Sequence, residues 1–221
     1  PTRAVARSGF QADSVLTGDS LDEDVGEPIS LDDLNALNGK GLGGGAGDGD
    51  GEESGFFGIN PQGERFVYVV DGSRSMNHPH ESAAKTRFRR LKIELVRSIS
   101  RLHPDQQFYI IFFNQFPISM PAPGLQHATR DAQLRYLNWM TTVRADGDTD
   151  PRLALAAAFR MRPDTVFFLT DGSFTAKVQK DLRKLRGLNI TLHTYAFGNR
   201  AAESLLKSMA ESNGGKYRYI P

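Results

Sequence analysis

From Phe66 onward, short apolar runs alternate with longer stretches in which apolar residues recur every three or four positions. The runs Phe66-Val67-Tyr68-Val69-Val70, Phe108 to Phe113 and Val166 to Leu169 are continuous and carry no polar alternation, as expected of parallel strands buried on both faces. Between them, Phe88, Leu91, Leu95, Ile99 and Leu102 follow helical spacing, which predicts a helix over Ser82 to Leu102. Further helices are predicted over Ala128 to Val143, Pro151 to Phe159, Ala176 to Leu185 and Ala201 to Glu211. Strands are predicted over Ile190 to Phe197 and Tyr217 to Ile220, with a short edge strand near Ile118. Strands alternating with helices imply an α/β layer fold with a mainly parallel sheet and helices on both faces. Ligands in such sheets bind at the carboxyl ends of the strands, near the switch point.

Residues 1–55 follow a different pattern. They are rich in Gly and Asp, contain one aromatic residue, Phe10, and pass through a glycine-rich run from Gly39 to Gly51. That composition predicts a disordered tail and a flexible linker before a domain spanning 56–221. A short helix is expected around Ser30 to Leu37, where Ser30 can cap, Asp33 sits three residues on, and Leu31, Leu34 and Leu37 share one spacing. A transient helix is favoured there over a docking peptide. Charge divides at the same place: 1–55 hold twelve acidic and three basic residues, and 56–221 hold fourteen acidic and twenty-four basic ones. The expected reading of this split is an acidic tail that solubilises the chain and brushes its own basic domain, with a basic face for an acidic partner as the alternative.

No cysteine is present, so disulfides and thiolate-bound metals are excluded. No stretch reaches the roughly 18–20 apolar residues a membrane span requires. The chain begins at Pro1 rather than Met, which suggests a fragment or a processed product. The compartment is left open, with the cell envelope as the expectation if an N-terminal anchor precedes this chain.

The chemistry sits where the strands end. The first strand runs into Asp71-Gly72-Ser73-Arg74-Ser75, and side chains at alternate positions of an extended segment point the same way. The third long apolar strand ends in Thr170-Asp171-Gly172. Between them, Gly147-Asp148-Thr149-Asp150 is a polar turn just before a helix. Three loops can thus aim hard oxygen donors at one crevice, a set suited to Mg²⁺, Mn²⁺ or Ca²⁺ rather than zinc or copper.

Asp71, Ser73 and Ser75 in D-x-S-x-S, Thr149 in the second loop and Asp171 in Thr-Asp-Gly together resemble the metal-ion-dependent adhesion site of von Willebrand factor type A domains, of bacterial type. The resemblance covers roughly 56–221. It implies a Rossmann-like doubly wound sheet with one antiparallel edge strand. It also implies a divalent ion, Mg²⁺ or else Mn²⁺ or Ca²⁺, held by Asp71, Ser73, Ser75, Thr149 and Asp171 directly or through water. A partner protein's Asp or Glu carboxylate would complete the coordination. Arg74 and Asp148 depart from the small residues common in that family, which bears on the choice of partner rather than on the metal.

Other signals carry less. Gly18-Asp19-Ser20-Leu21 and the Gly39, Gly41, Gly44 pattern fall in the tail, and no P-loop occurs. Neither Ser73 nor Ser75 stands in a nucleophile elbow. His78 and His80 are expected to form a solvated loop pair. The basic run Lys85, Arg87, Arg89, Arg90, Lys92 is broken by Phe88 and Leu91 at core spacing, so its charges are expected on the solvated faces of a helix rather than on nucleic acid. Trp139 is expected in the core. The expected function is a non-enzymatic, metal-dependent protein-interaction module that binds no nucleic acid and does not span a membrane. The alternatives are a metal-dependent hydrolase and an interaction domain whose metal is purely structural.

Overall fold

The computed structural model describes residues 30–39, 55–60, 62–172, 174–185, 187 and 189–221. A seven-stranded sheet forms its centre: β1 (Arg65–Asp71), β2 (Gln107–Phe113), β3 (Pro117–Ser119), β4 (Gln126–His127), β5 (Thr165–Thr170), β6 (Thr191–Phe197) and β7 (Tyr217–Ile220). The strands lie in the order β3-β2-β1-β5-β6-β7, with β4 also on β2. All long-strand pairings are parallel, while β3 and β4 run antiparallel to β2. The expected antiparallel edge is therefore present, split into two short pieces. The second piece, Gln126–His127, shows no apolar alternation and escaped the sequence reading.

β1 has β2 on one side and β5 on the other, so the chain leaves β1 in one direction and later returns past it. The switch point lies there, which puts the ligand-binding crevice at the carboxyl ends of β1 and β5. Phe66 to Val70 and Val166 to Leu169 have no solvent exposure, as helices on both faces of the sheet require. Those helices are α1 (Leu31–Gly39), α2 (Arg87–Ser100), α3 (Arg130–Thr142), α4 (Arg152–Arg160), α5 (Ala176–Leu182) and α6 (Glu203–Glu211). Among the described residues no helix is long and apolar enough to cross a membrane.

α2 begins five residues later than its periodicity predicts. Lys85 adopts a positive φ of 67°, Ser82 accepts from the Ala84 amide, and Pro79 bridges Thr86. Thr86 then caps the helix by accepting from the Arg89 amide at 3.2 Å. The basic run also departs from expectation, because its charges are not simply solvated. Lys92 is only 4% exposed and donates from Nζ to the carbonyls of Thr141 and Val143 at the end of α3. Its ammonium also sits 4.7 Å from the Phe88 ring. Burial without a carboxylate partner lowers its pKa to about 7. Arg90 reaches Glu94 Oε2 at 3.0 Å instead of facing water alone. α2 is enclosed because α1 and α3 pack against it as well as the sheet.

α1 is the helix expected around Ser30, closed by a reciprocal cap in which Ser30 Oγ accepts from the Asp33 amide and donates to Asp33 Oδ2. Leu31 is buried where α1 meets α2 and α3, whereas the sequence pattern favoured a transient helix. The rest of the expected tail, 1–29 and 40–54, lies outside the described residues.

Phe56 to Ile59 forms a tight turn closed by Phe56–Ile59 backbone bonds, and Phe56 is wholly buried among Tyr68, Phe167 and Tyr195. Three polar ties hold it. Glu94 Oε1 accepts from the Phe57 amide at 2.8 Å, Tyr195 donates to the Phe56 carbonyl, and Arg218 donates to the Phe57 carbonyl.

Candidate metal centre

The last residue of β1, Asp71, is entirely buried, and its carboxylate is held by donors from two residues, Ser73 and Thr170. Oδ1 accepts from the Ser73 amide at 2.9 Å, Oδ2 accepts from Thr170 Oγ1 at 2.7 Å, and the Ser73 side chain also bonds to it. Thr170 ends β5, so this bond couples the ends of the two strands that flank the switch point. Burial, and then the charge of Asp171, push the Asp71 pKa up to about 6. Asp171 itself is 3% exposed. Two buried carboxylates therefore stand at adjacent strand ends, close enough for the charge of one to act on the other.

The neutral donors come from the same loops. Ser73 and Ser75 have their hydroxyl oxygens 3.1 Å apart, in a segment that turns into a short 3-10 helix over Arg74–Asn77. Gly72 N–H donates to the Phe113 carbonyl and so ties the first loop to the end of β2. The second loop is fastened to the first by two backbone bonds, Arg74 N–H to Gly147 O at 3.1 Å and Asp146 N–H to Gly72 O at 2.9 Å. A glycine is needed at 147, where φ is +78° and a Cβ would collide with the Gln115 side chain. Thr149 lies half-buried in this fastened loop, just before α4. The structure thus brings Asp71, Ser73, Ser75 and Asp171 to the carboxyl ends of β1 and β5 and seats the Thr149 loop against them.

The acidic neighbours of Thr149 are accounted for. Asp150 is engaged by the Arg152 guanidinium at 2.7 Å, and the same arginine reaches Asp181 of α5 at 2.9 Å. Those bonds hold the Asp150 carboxyl below the usual range. Asp148 is exposed, with its amide bonded to Gln115. Arg74 forms an exposed pair with Asp146 at 3.0 Å. His78 is exposed, but His80 is half-buried, bonded to Ser82 and set edge-on to Phe197, so the two are not a solvated pair. Trp139 is partly buried and packs against Phe112 at the edge of the core.

Two contributors were not singled out from the sequence. Thr170 was read only as part of Thr-Asp-Gly, yet its hydroxyl is what links Asp71 to β5. Arg87, the first residue of α2, places Nη1 3.3 Å from Asp171 Oδ2 and donates from Nη2 to the Gly198 carbonyl. A faint signal existed for it. The first turn of α2 carries arginines at 87, 89 and 90 and no acid, which is unfavourable at the positive end of a helix dipole unless an acid lies nearby.

The donor set fits a hard divalent cation. It offers two buried carboxylates, with the charge of Asp171 acting against ionised Asp71, and two converging hydroxyls, with no imidazole or thiolate. Among the described residues no cluster of three or more His, Asp or Glu occurs, so such an ion would depend on neutral oxygens beyond the first two carboxylates.

The family model for the von Willebrand factor type A domain matches residues 66–219. The chain belongs to that family. The chain is 28% identical over 184 residues to inter-alpha-trypsin inhibitor heavy chain H6 from Homo sapiens, covering 74% of this chain and 14% of that protein. The chain thus spans about a seventh of the length of that curated relative. Among solved structures, it resembles a von Willebrand factor type A protein from Catenulispora acidiphila with a TM-score of 0.60 and 20% identity, covering 71% of this chain and 38% of the other. It also resembles the manganese-loaded TRAP protein of Plasmodium vivax with a TM-score of 0.52 and 20% identity, covering 71% and 68%. At these identities the structural likeness establishes the fold: a mostly parallel, Rossmann-type sheet with an antiparallel edge, flanked by helices.

Proposed function

We propose that this type A domain is a non-enzymatic protein-interaction module that depends on a divalent ion. Asp71, Ser73, Ser75, Thr149 and Asp171 hold the ion, directly or through water, and Mg²⁺ is the expected ion in the cell. Bound there, the ion supplies an open electrophilic position for an Asp or Glu carboxylate of a partner protein. The observation that carries the reading is the meeting of two buried carboxylates with the Ser73 and Ser75 hydroxyls at the ends of β1 and β5. A manganese-loaded structure of the TRAP protein, which shares this fold, supports the choice of a divalent ion. The chain's own groups do the positioning: Thr170 and the Ser73 amide fix Asp71, and the Gly72–Asp146 and Arg74–Gly147 bonds fix the Thr149 loop. The interaction unit spans 56–221 with α1 packed on it through Leu31, and the rest of 1–55 acts as an acidic tail and linker.

The test is thermal unfolding of wild type and Asp71→Ala in EDTA, Mg²⁺, Mn²⁺ and Ca²⁺. An ion that binds only the native state raises stability, and with it Tm, with the logarithm of its concentration over Kd. Wild type is expected to gain stability with Mg²⁺ or Mn²⁺, while Asp71→Ala stays folded and gains none. A wild type indifferent to every ion, at concentrations up to millimolar, removes the basis of this reading.

A further inference from the structure

We propose that Arg87 sets how tightly this site takes up a divalent ion, by holding a tethered cation against Asp171. The inference rests on the metal-binding reading above and concerns how that site is regulated. Arg87 Nη1 lies 3.3 Å from Asp171 Oδ2, and the two side chains are 18% and 4% exposed. The contact is therefore weakly screened, unlike an exposed ion pair.

The surroundings are shaped for this guanidinium. Gly198, at the end of β6, has φ +65°, and a Cβ there would stand 2.3 Å from Arg87 Nε. Gly198 O in turn accepts from Arg87 Nη2 at 3.2 Å. α2 gains nothing from the arrangement, because a cation at its first position opposes the helix dipole and no acid stands in its first turn. What favours the arginine lies across the crevice, in Asp171.

Charge counting gives the consequence. Asp71 and Asp171 without Arg87 would neutralise a divalent ion and leave little attraction for a further carboxylate. With Arg87 the protein groups sum to one negative charge, so the loaded site keeps a net positive charge. Arg87 thus weakens the ion's hold and strengthens the loaded site's pull on an incoming Asp or Glu. This is a positioning and tuning role, with no proton transferred.

The experiment titrates Mn²⁺ alone into wild type, Arg87→Gln and Arg87→Lys at fixed ionic strength. Free Mn²⁺ is followed by electron paramagnetic resonance, and folding is checked by circular dichroism. Removing one nearby charge from a buried site should tighten Mn²⁺ binding by about tenfold or more in Arg87→Gln. Arg87→Lys should stay within a fewfold of wild type. A merely structural role predicts the opposite sign, since a loosened site binds more weakly. If Arg87→Gln does not fold, Arg87→Met, which keeps the apolar stem, takes its place. Unchanged or weaker Mn²⁺ binding in the neutral variant overturns the proposal while the metal site stands. Binding by the neutral variant alone supports it, with Arg87 acting as an outright competitor. No binding by any of the proteins defeats both this proposal and the metal-site reading.

Discussion

Two buried carboxylate sites in this domain make a useful contrast. Glu94, in the middle of α2, is 1% exposed and is satisfied by the chain itself, with the Phe57 amide on one oxygen and Arg90 on the other, and Arg97 a little farther off. Asp71 and Asp171, at the strand ends, are equally buried, yet among the described residues the cation beside them is one arginine at 3.3 Å. The remaining contacts of Asp71 are neutral donors, and its strongest electrostatic neighbour is a second carboxylate. A buried charge that is fully compensated from within pins structure. A buried pair that is under-compensated keeps a capacity for a cation from outside. Glu94 accordingly fastens the Phe56–Ile59 turn to the core, while the strand ends form the candidate site.

Breaking the compensated site should have the larger effect. Glu94→Ala leaves Arg90 without its acid and the Phe57 amide without its acceptor, and should cost about 3–5 kcal/mol, read as a lowered midpoint in urea unfolding. A loss below about 1 kcal/mol would mean that Glu94 is not the structural anchor described.

Lys92 sharpens the contrast from the cationic side. Its Nζ is satisfied by carbonyls but has no acid, and its folded pKa of about 7 lies below the ordinary 10.5. Between those values the unfolded chain binds a proton that the native state does not. The resulting stability is present above about pH 10.5 and is lost as pH falls through about 7. Lys92→Met should flatten the rise in stability from pH 7 to 10, a slope of at most about 1.4 kcal/mol per pH unit. The check is urea unfolding of both proteins across that range, and parallel pH profiles would contradict it.

The under-compensated site should respond most gently, and with the opposite sign to Glu94. Without metal, Asp71→Asn removes a burial and repulsion penalty of about 3 kcal/mol and weakens the bonds from Ser73 and Thr170, so it should raise stability at pH 7 by about 1 kcal/mol net while abolishing stabilisation by Mn²⁺. Differential scanning calorimetry in EDTA and in Mn²⁺ reads both effects. A destabilised apo variant would erase the distinction between the two carboxylate sites.

Much of this was legible in the chain because it depended on short-range pattern. The strands Phe66–Val70 and Val166–Leu169 announced themselves as unbroken apolar runs, and β7 was read with its observed limits. Asp71, Ser73, Ser75 and Asp171 are visible in the sequence as oxygen-bearing residues that follow strands, which a parallel sheet places together, and Thr149 as one in a polar turn before a helix. The start of α2 lies beyond the expected Ser82 because apolar spacing that opens at Phe88 marks no boundary, while the Lys85 turn and the Thr86 cap decide it. β4 was missed because two polar residues have no pattern of their own and pair only because β2 is there to receive them.

By itself, then, the sequence determined the layered α/β architecture and the hard-oxygen character of the side chains in the candidate loops, since each follows from residue type and spacing within one segment. Tertiary structure decided where each charge finds its partner. Lys92 sits inside the α2–α3 contact, Glu94 clamps a turn 37 residues away, and Arg87 reaches an aspartate 84 residues on. Burial and proximity between distant segments fix the energy of a charge, and no local pattern encodes either one.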